Sequence, residues 1–394
     1  MAIKYLNQLH LDGKKVLIRV DYNVPYDKSM NITDDTRISE TLPTIKYCTD
    51  RNAKVVLISH LGRPKGKRVP EMSLAPAAKR LSELLKKDVK FIEDPIGDEV
   101  MKKIDAMKAG EVALLENIRF YPEEEKNDDA FGKLLAGLGE VYIDDAFAAA
   151  HRGHASNDAI TKHIGEVAAG FLLEKEIEYF NKALLEPERP LAVVIGGAKV
   201  STKIEVLENI IQKVDSLIIG GGMAFTFLKA KGLGVGRSLL EADFVDTAKA
   251  IMEKAEKAGV KILLPVDVVA APEFKDDAPQ KVVPVDKMPD DMMGLDIGPE
   301  SIKLFNEAIL KAKTVVWNGP MGAFEMPSYA KGTREVGFAI GTAGRMSIVG
   351  GGDSVTAVNQ LNLAEKITYI STGGGAFLEL LEGKKLPAIA ALDR

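Results

Sequence analysis

Residues Lys15–Val20 read KVLIRV and lead into Asp21 and Asn23, and Lys54–Ser59 read KVVLIS and lead into His60. Each is a short apolar, β-branched run that ends in polar residues able to meet a ligand. The pattern recurs at Val112–Leu115 and Val141–Ile143. In the second half it returns at Leu191–Ile195, Ser216–Ile219, Lys261–Val266, Thr314–Trp317, Met346–Val349 and Ile367–Ile370. Runs that are apolar rather than alternating belong to strands buried on both faces of a parallel sheet. Between them lie amphipathic stretches such as Ala75–Lys87 and Asp243–Ala258, whose spacing is helical. Strand and helix alternating this often give a doubly wound α/β architecture.

At 394 residues the chain suits two domains better than one or three. The boundary falls in Glu166–Glu186. There Leu173, Ile177, Phe180 and Leu184 keep helical spacing, Glu178 and Lys182 can pair at i,i+4, and Pro187 and Pro190 stop the helix. Its position near mid-chain divides the strands into two sets, so it reads as a linker helix. The composition, 46% hydrophobic and 28% charged, is that of a globular protein and excludes collagen, coiled coil and wholesale disorder. With 57 acidic and 52 basic residues the net charge is −5, which argues against a general nucleic-acid binder. Any anion must be held by a few bases gathered locally. Cys48 is the single cysteine, so no intrachain disulfide can form, which suits a reducing compartment. The amino terminus shows no apolar leader, and no run approaches the ~20 apolar residues of a membrane span. A cytoplasmic enzyme is expected, without a membrane or nucleic-acid partner.

In open α/β sheets ligands bind beyond the carboxyl ends of the strands. In the first half those ends carry polar and basic residues. Asp21 and Asn23 follow the first run, with Arg37 in the polar loop beyond; His60 and Arg63 follow the second, Asn117 and Arg119 the third, and His151 and Arg152 lie after the fourth. Arginine forks match carboxylate and phosphate oxygens, so a small polyanion is the expected ligand. The second half places glycines at the same points: Gly196–Gly197, Gly220–Gly222, Gly350–Gly352 and Gly373–Gly375. Glycines between strand and helix let backbone N–H groups approach phosphate oxygens. Four clusters at four strand ends point to a nucleotide or polyphosphate site.

Neither the P-loop pattern nor G-x-G-x-x-G occurs; GRPKGK at Gly62, GVGRSL at Gly234 and GGGMAF at Gly220 each miss a required position. Asp353, directly after Gly352, can hold Mg²⁺ beside a phosphate or simply cap a helix. Lys199 and Lys203, four apart in GGAKVSTK, would share a helix face turned to the first glycine turn, or form a solvated pair. His151 and His154 with Asp144 and Asp145 are a weak metal candidate, since the neighbouring arginines repel a cation. Cys48 reads as a packed residue.

VDYNVP (Val20–Pro25), TDDTRI (Thr33–Ile38), SHLGRPKG (Ser59–Gly66), LLENIRFYPEEEKND (Leu114–Asp128) and AAHRGHAS (Ala149–Ser156) run in order through the first half. IGGAKVSTK (Ile195–Lys203), IIGGGMAFTF (Ile218–Phe227), VVWNGPMGAFE (Val315–Glu325), VGGGDS (Val349–Ser354) and STGGGA (Ser371–Ala376) follow in the second. Together these segments resemble the phosphoglycerate kinase family nearly end to end. The resemblance implies two Rossmann-like parallel-sheet domains joined by the linker helix. Residues 1–170 would bind 3-phosphoglycerate, with 376–394 returning to them, and residues 171–375 would bind nucleotide, 171–186 forming the linker. It implies reversible phosphoryl transfer between 1,3-bisphosphoglycerate with ADP and 3-phosphoglycerate with ATP, dependent on Mg²⁺, by a monomer.

The resemblance assigns Asp21, Asn23, Arg37, His60, Arg63, Arg119 and Arg152 to 3-phosphoglycerate. It assigns Lys203, Gly294, Glu325, Gly351, Gly352, Asp353 and Ser354 to the nucleotide, with Asp353 serving the metal; Gly196, Gly197, Gly220 and Gly221 of the glycine clusters, and Asn318, are expected at the same site. Arg37, Lys199, Lys203, Gly373 and Gly374 would surround the transferring group. Ala148 stands where the family pattern has glycine, and Phe377 where a serine often follows STGGGA. The nucleophile would be a carboxylate, already ionised, so no general base is needed. A dinucleotide oxidoreductase and a non-catalytic metabolite sensor remain the alternatives; the missing fingerprint weighs against the first, and ATP consumption with 3-phosphoglycerate separates the second.

Overall fold

In the computed structural model, which describes residues 3–342 and 344–393, each apolar run becomes a strand. β1 (Lys15–Arg19), β2 (Lys54–Ile58), β3 (Val89–Ile92), β4 (Val112–Leu115), β5 (Val141–Asp144) and β6 (Glu166–Ala169) form a parallel sheet in the order β3-β4-β2-β1-β5-β6. Val16, Ile18, Val55, Leu57, Val141 and Ile143 fill one face of it with the helices that cover them. In the second half come β7 (Leu191–Ile195), β8 (Ser216–Ile219), β9 (Lys261–Leu263), β10 (Asp267–Ala271), β11 (Lys281–Pro284), β12 (Met293–Ile297), β13 (Thr314–Asn318), β14 (Met346–Val349) and β15 (Tyr369–Ile370). Six of these make a second parallel sheet, β15-β14-β13-β7-β8-β9. Ala192, Val194, Val315, Trp317, Phe305 and Ile309 build its core. The two parallel-sheet domains of the sequence reading are thus present.

Several details differ from that reading. β3 was not legible because, on a sheet edge, it exposes Lys90 and loses the continuous apolar pattern. β10, β11 and β12 form a separate antiparallel sheet that no motif announced. The Lys261–Val266 run ends as a strand at Leu263, before Pro265, whose ring nitrogen cannot join a ladder. Within Glu166–Glu186 the first four residues are β6, paired with β5, and the helix covers only Phe171–Phe180 before widening to a π-helix over Asn181–Leu185. Arg37 lies on a short helix, Thr36–Ser39, not in a loop.

The chain divides into two compact units, Met1–Ile177 with Lys385–Arg394, and Glu178–Lys384. The division falls inside the helix Phe171–Phe180. The carboxy-terminal return begins at Lys385 rather than residue 376, because the helix Gly375–Leu381 packs on the helix Ile204–Ile210 of the second unit, where Asn209 donates to Leu381 O at 2.7 Å. Beyond it, Ala388 N donates to Ala150 O at 3.1 Å in the first unit.

Strand order reverses beside β1 in the first sheet and beside β7 in the second. Such a switch point opens a crevice between two strand ends whose chains leave in opposite directions. The crevices lie at β1/β5 and at β7/β13. At the second, backbone meets backbone: a Cβ on Gly196 would lie 2.0 Å from Pro320 O, and one on Gly319 would lie 2.2 Å from Gly196 O. Gly319 also has φ +97°, so glycine is required there twice over. Gly196→Ala should therefore force the β7 and β13 loops apart and cost ~1–3 kcal/mol, as overpacking does. Denaturant unfolding followed by Trp317 fluorescence should show an earlier midpoint; an unchanged midpoint would contradict the close approach.

Candidate functional site

In the first unit, the carboxyl ends of β1, β2, β4 and β5 bring one constellation together. Arg37 Nη1 donates to Asp21 Oδ2 at 2.9 Å and to Asn23 O at 3.3 Å. Asn23 Oδ1 accepts from Gly62 N at 2.9 Å, and Arg119 Nη1 donates to Gly62 O at 2.8 Å, so the loops after β1, β2 and β4 are bonded in series. Asn117 fixes the same corner from within, donating to Leu61 O and Met72 O at 2.8 and 2.9 Å. Arg63 is exposed on the β2 loop, and Arg152 is half-buried beside His151, whose Nε2 accepts from Arg152 Nε at 3.1 Å.

The electrostatics are strained toward positive charge. Arg119 is almost wholly buried, and its Nε and Nη2 have no hydrogen-bond partner in the protein. Burial, with Arg19 and Arg152 adding to it, pulls its pKa down to about 10. Burial acts to raise Asp21, yet Arg37, Arg19 and the Asn23 N–H hold its carboxyl below the usual range. His60 is also buried; burial, reinforced by Arg19, Arg119 and Arg152, outweighs Asp21 and drives its pKa well below the ordinary value. Its Nδ1 lies 3.1 Å from Arg19 Nη2. A guanidinium can only donate, so Nδ1 is the acceptor and the ring proton sits on Nε2. A neutral histidine with its donor fixed, beside unpaired guanidinium N–H groups, suits an anion with several oxygens.

Arg19 escaped the sequence reading, which took Lys15–Val20 as one apolar run. Its signal was available: a guanidinium inside a strand that is otherwise Val, Leu and Ile. Glu124 had no such signal, standing among the charges of Glu123–Lys126. It is wholly buried and accepts from Ser156 N and Oγ at 2.9 and 2.7 Å, and burial raises its pKa against the pull of Arg19 and Ser156. His154 lies 3.7 Å from it, with its pKa lowered to about 3 by burial and by Arg119, Arg19 and Arg152. Among the described residues no three His, Cys, Asp or Glu side chains gather to hold a metal ion, so the His151/His154 metal candidate falls.

In the second unit a cavity of about 500 Å³ opens at the second switch point. It is lined by Gly197, Gly221, Gly294, Glu325 and Asp353 of the expected residues, and by Phe225, Val268, Met293 and Met321. Its walls are mostly apolar, as a base-sized group requires. Asp353 is exposed on the first turn of the helix Gly352–Gln360, which has no side-chain cap and turns from Gly351 at φ +96°. A helix start of this kind presents N–H groups to an anion. Lys203 Nζ is bonded to Asn318 Oδ1, and Asn318 Nδ2 donates to Gly350 O at 2.7 Å. Burial lowers the Lys203 pKa, with Asp353 and Glu382 opposing. Ser354 Oγ accepts from Gly319 N at 2.6 Å, which locks the helix start to the β13 loop.

Here the glycines do other work than expected. Gly196 N donates to Asn318 O, Gly197 N to Pro320 O, Gly220 N to Ile195 O and Gly221 N to Met321 O, at 2.9 to 3.1 Å. Gly373 N is taken by Ser371 Oγ at 3.1 Å, ahead of Gly374 at φ +49°. These N–H groups are spent inside the protein, and the glycines permit close packing of loops. Lys199 and Lys203 share no helix face: residues 199–203 are turns held by Ser201 on Glu241, and the helix starts at Ile204. Phe377 is buried under Gly350, where a Cβ would strike its ring at 2.2 Å, and Ala148 lies in the 3-10 turn Phe147–Ala149.

The chain matches the family model described as Phosphoglycerate kinase over residues 6–384. It is 57% identical to "Phosphoglycerate kinase" of Geobacter metallireducens, covering all of this chain and 99% of that relative, and 52% identical to that of Gloeothece citriformis, covering all of this chain and 98% of the relative. Among solved structures it is similar to that of phosphoglycerate kinase from Coxiella burnetii, with TM-score 0.93 and 42% identity over all of this chain and 99% of that one. The phosphoglycerate kinase from Pyrococcus horikoshii OT3 superposes with TM-score 0.80 at 33% identity, over 99% and 98% of the two chains.

The His60 assignment has a direct test. Nitrogen-15 NMR of the imidazole should show a neutral ring protonated on Nε2 down through pH 6, because burial has lowered its pKa. A ring that titrates near its ordinary value of ~6.5, or carries the proton on Nδ1, would contradict the Arg19 contact.

Proposed function

The chain belongs to the phosphoglycerate kinase family, and on that premise we propose that it reversibly transfers phosphoryl between 1,3-bisphosphoglycerate with ADP and 3-phosphoglycerate with ATP. It is a phosphotransferase whose acceptor is a carboxyl group. The reading is carried by Arg119, whose buried Nε and Nη2 make no hydrogen bond in the protein, Glu125 Oε1 lying 3.6 Å from Nε, and whose charge acts on the buried His60. A carboxylate with a distant phosphate would supply the missing acceptors. Asp21, Asn23, Arg37, His60, Arg63, Arg119 and Arg152 are its proposed ligands. Asp21 acts mainly through Arg37, which it orients. The proposed setting is the cytoplasm, as a monomer working in glycolysis and, in reverse, gluconeogenesis.

In the second unit the apolar cavity would take the base, with Gly294 on its wall and Glu325 at its edge. The helix start at Gly351–Ser354 would take phosphate oxygens. A single exposed carboxylate there, Asp353, fits Mg²⁺, which is usually bound by one or two carboxylates plus phosphates and water. Bound in that way, the ion would neutralise phosphate charge. Lys203, held by Asn318, offers a cation whose burial strengthens its interaction with developing negative charge. Lys199, exposed on the preceding turn, is a longer-range cation, and Gly374 leaves the backbone turned at the start of the helix Gly375–Leu381.

The acceptor carboxylate is ionised at neutral pH, so the chemistry is positioning plus charge stabilisation. In-line transfer needs the reacting atoms to approach to ~3–3.5 Å, whereas acceptor and donor residues belong to separate units. Coupled assay of 3-phosphoglycerate-dependent ATP consumption tests the whole reading; no turnover with both substrates present would end it.

Two substitutions divide the roles. Arg63→Ala should raise the 3-phosphoglycerate KM by ~10-fold or more, since a charge-assisted contact is worth ~1.5–3 kcal/mol. A raised ATP KM with the other unchanged would put Arg63 on the wrong ligand. Lys203→Ala should lower kcat by ~10²–10³, as loss of a preorganised charge at the reacting group does; an effect on KM alone would mean Lys203 binds ground and transition states alike.

A further inference from the structure

The helix Phe171–Phe180 begins where its own sequence cannot cap it. The first four N–H groups of a helix need partners from elsewhere. The preceding residue is Gly170, which has no side chain to offer and no room for one: a Cβ there would lie 2.3 Å from Asp145 Oδ1. The cap comes instead from two distant elements. Thr44, on the helix Leu42–Thr49, accepts from Phe171 N at 3.0 Å. Asp145 Oδ1, at the end of β5, accepts from Leu172 N at 2.8 Å and Leu173 N at 3.3 Å. Glu174 N then returns to Gly170 O at 2.9 Å, so all four groups are accounted for.

Asp145 is wholly buried, and its own N–H donates to Arg19 O at 2.8 Å. It therefore sits between two things that the reaction needs. On one side the loop after β5 carries His151 and Arg152. On the other, the helix it caps carries the chain out of the first unit, whose limit is Ile177. We propose that Asp145 is a positioning residue for phosphoryl transfer: its carboxylate ties the start of the interunit helix to the strand end that carries the anion loop, and turnover depends on that tie. The link to turnover rests on the kinase reading; the cap itself does not.

An ionised carboxylate at a helix start is favoured by the exposed N–H groups and the helix dipole. Burial nevertheless pushes this carboxyl up to about 7, against Thr44 and the Leu173 and Leu172 N–H groups, with Asp144 adding to the rise. Tyr22 and Cys48 also face it, and its charge helps to raise both of their pKa values. None of these neighbours is a cation and Asp145 Oδ2 has no hydrogen-bond partner, so the helix end on Oδ1 and Thr44 are what the anion has to rest on. With the folded pKa above the ordinary carboxyl value of ~4, the folded state keeps a proton that the unfolded chain has released. The charged cap therefore forms as pH rises through neutrality, at some expense of stability.

Hydrogen exchange at the Leu172 and Leu173 amides, corrected for intrinsic rates, tests this on the whole chain between pH 5.5 and 8.5. Their protection in the wild-type protein should rise by roughly 5- to 10-fold across neutrality, the range a charge at a helix end supplies. In Asp145→Asn, which keeps an acceptor oxygen but no charge, protection should be low and flat. At pH 8 its kcat should fall by a similar factor with both KM values within about twofold of wild type. Gly170→Ala, which displaces the cap without deleting the charge, should reproduce the loss of kcat. Leu172 and Leu173 amides that exchange at their intrinsic rates in the wild-type protein overturn the proposal without requiring any variant to fold. So does a folded Asp145→Asn with wild-type kcat, or one in which KM alone rises. If the wild-type chain shows no 3-phosphoglycerate-dependent turnover, the kinase reading fails while the exchange result still decides the cap.

Discussion

A guanidinium buried in the middle of a parallel sheet is the constraint on which the first unit's site rests. Arg19 is wholly buried on β1, where burying a charge is costly unless it is fully hydrogen-bonded. Its Nε donates to Ser156 Oγ at 2.9 Å, one Nη bonds Val20 O and the other His60 Nδ1. Ser156 hands the charge on to Glu124, which it binds through both N–H and hydroxyl. The buried carboxylate is thereby the counter-ion of the arginine at one remove. Those partners lie at the ends of β1 and β2, on the segment well beyond β5 and on the segment after β4, so satisfying one side chain fixes several loops. His60 receives its tautomer from the same bond. Arg119 is then left as the buried cation without enough partners, and the site's appetite for anions follows from that imbalance.

The second unit meets a different constraint with different residues. Its switch point brings two backbones into contact at Gly196 and Gly319, and the loops are bonded to one another through their N–H groups. That rigid corner carries Asn318, which holds Lys203, and meets Ser354, which fixes the helix start bearing Asp353. Rigidity is bought with glycine, and polar function is left to a few side chains and one helix end. The first unit works the other way, fixing its loops by charged side chains.

Much of this was legible in the sequence, and what was not has a physical reason. Strands buried on both faces announce themselves by composition, so ten runs gave ten of the twelve strands in the two parallel sheets; β6, though buried, is too short to stand apart from the helical spacing that follows it. β3 and the antiparallel strands β10–β12 are partly solvated, and their residues alternate or mix with turns. The basic residues of the first site were visible because each follows a strand. Arg19 was hidden by belonging to one, and Glu124 by sitting in a run of like charges. The glycines were visible as clusters, but the sequence cannot say whether an N–H group meets a phosphate or another loop. Lys203 was visible, but the helix face expected to join it to Lys199 does not form, because Glu241, about forty residues on, holds Ser201 and turns the chain.

The buried acids complete this logic, since phosphoryl transfer to a carboxylate needs no general base and leaves them free for structural work. Asp296 on β12 is pushed up to about 7, by burial above all, and accepts from Gly332 N at 2.7 Å on the first turn of the helix Lys331–Ile340. It also crowds Gly322 in the loop that lines the second unit's cavity, where a Cβ would lie 2.3 Å from its Oδ1. Asp145 does the same in the first unit, from a strand end to a helix whose neighbouring glycine leaves it room. In both, a buried carboxyl is stabilised mainly by backbone donors, with the Lys331 charge adding to them at Asp296, while glycine provides the space. Such a cap joins elements far apart in sequence at the edge of a ligand site, which a local serine or asparagine cap could not do. The cost is a carboxyl held near its point of half-ionisation, and the return is a site whose walls are tied to the sheet behind them.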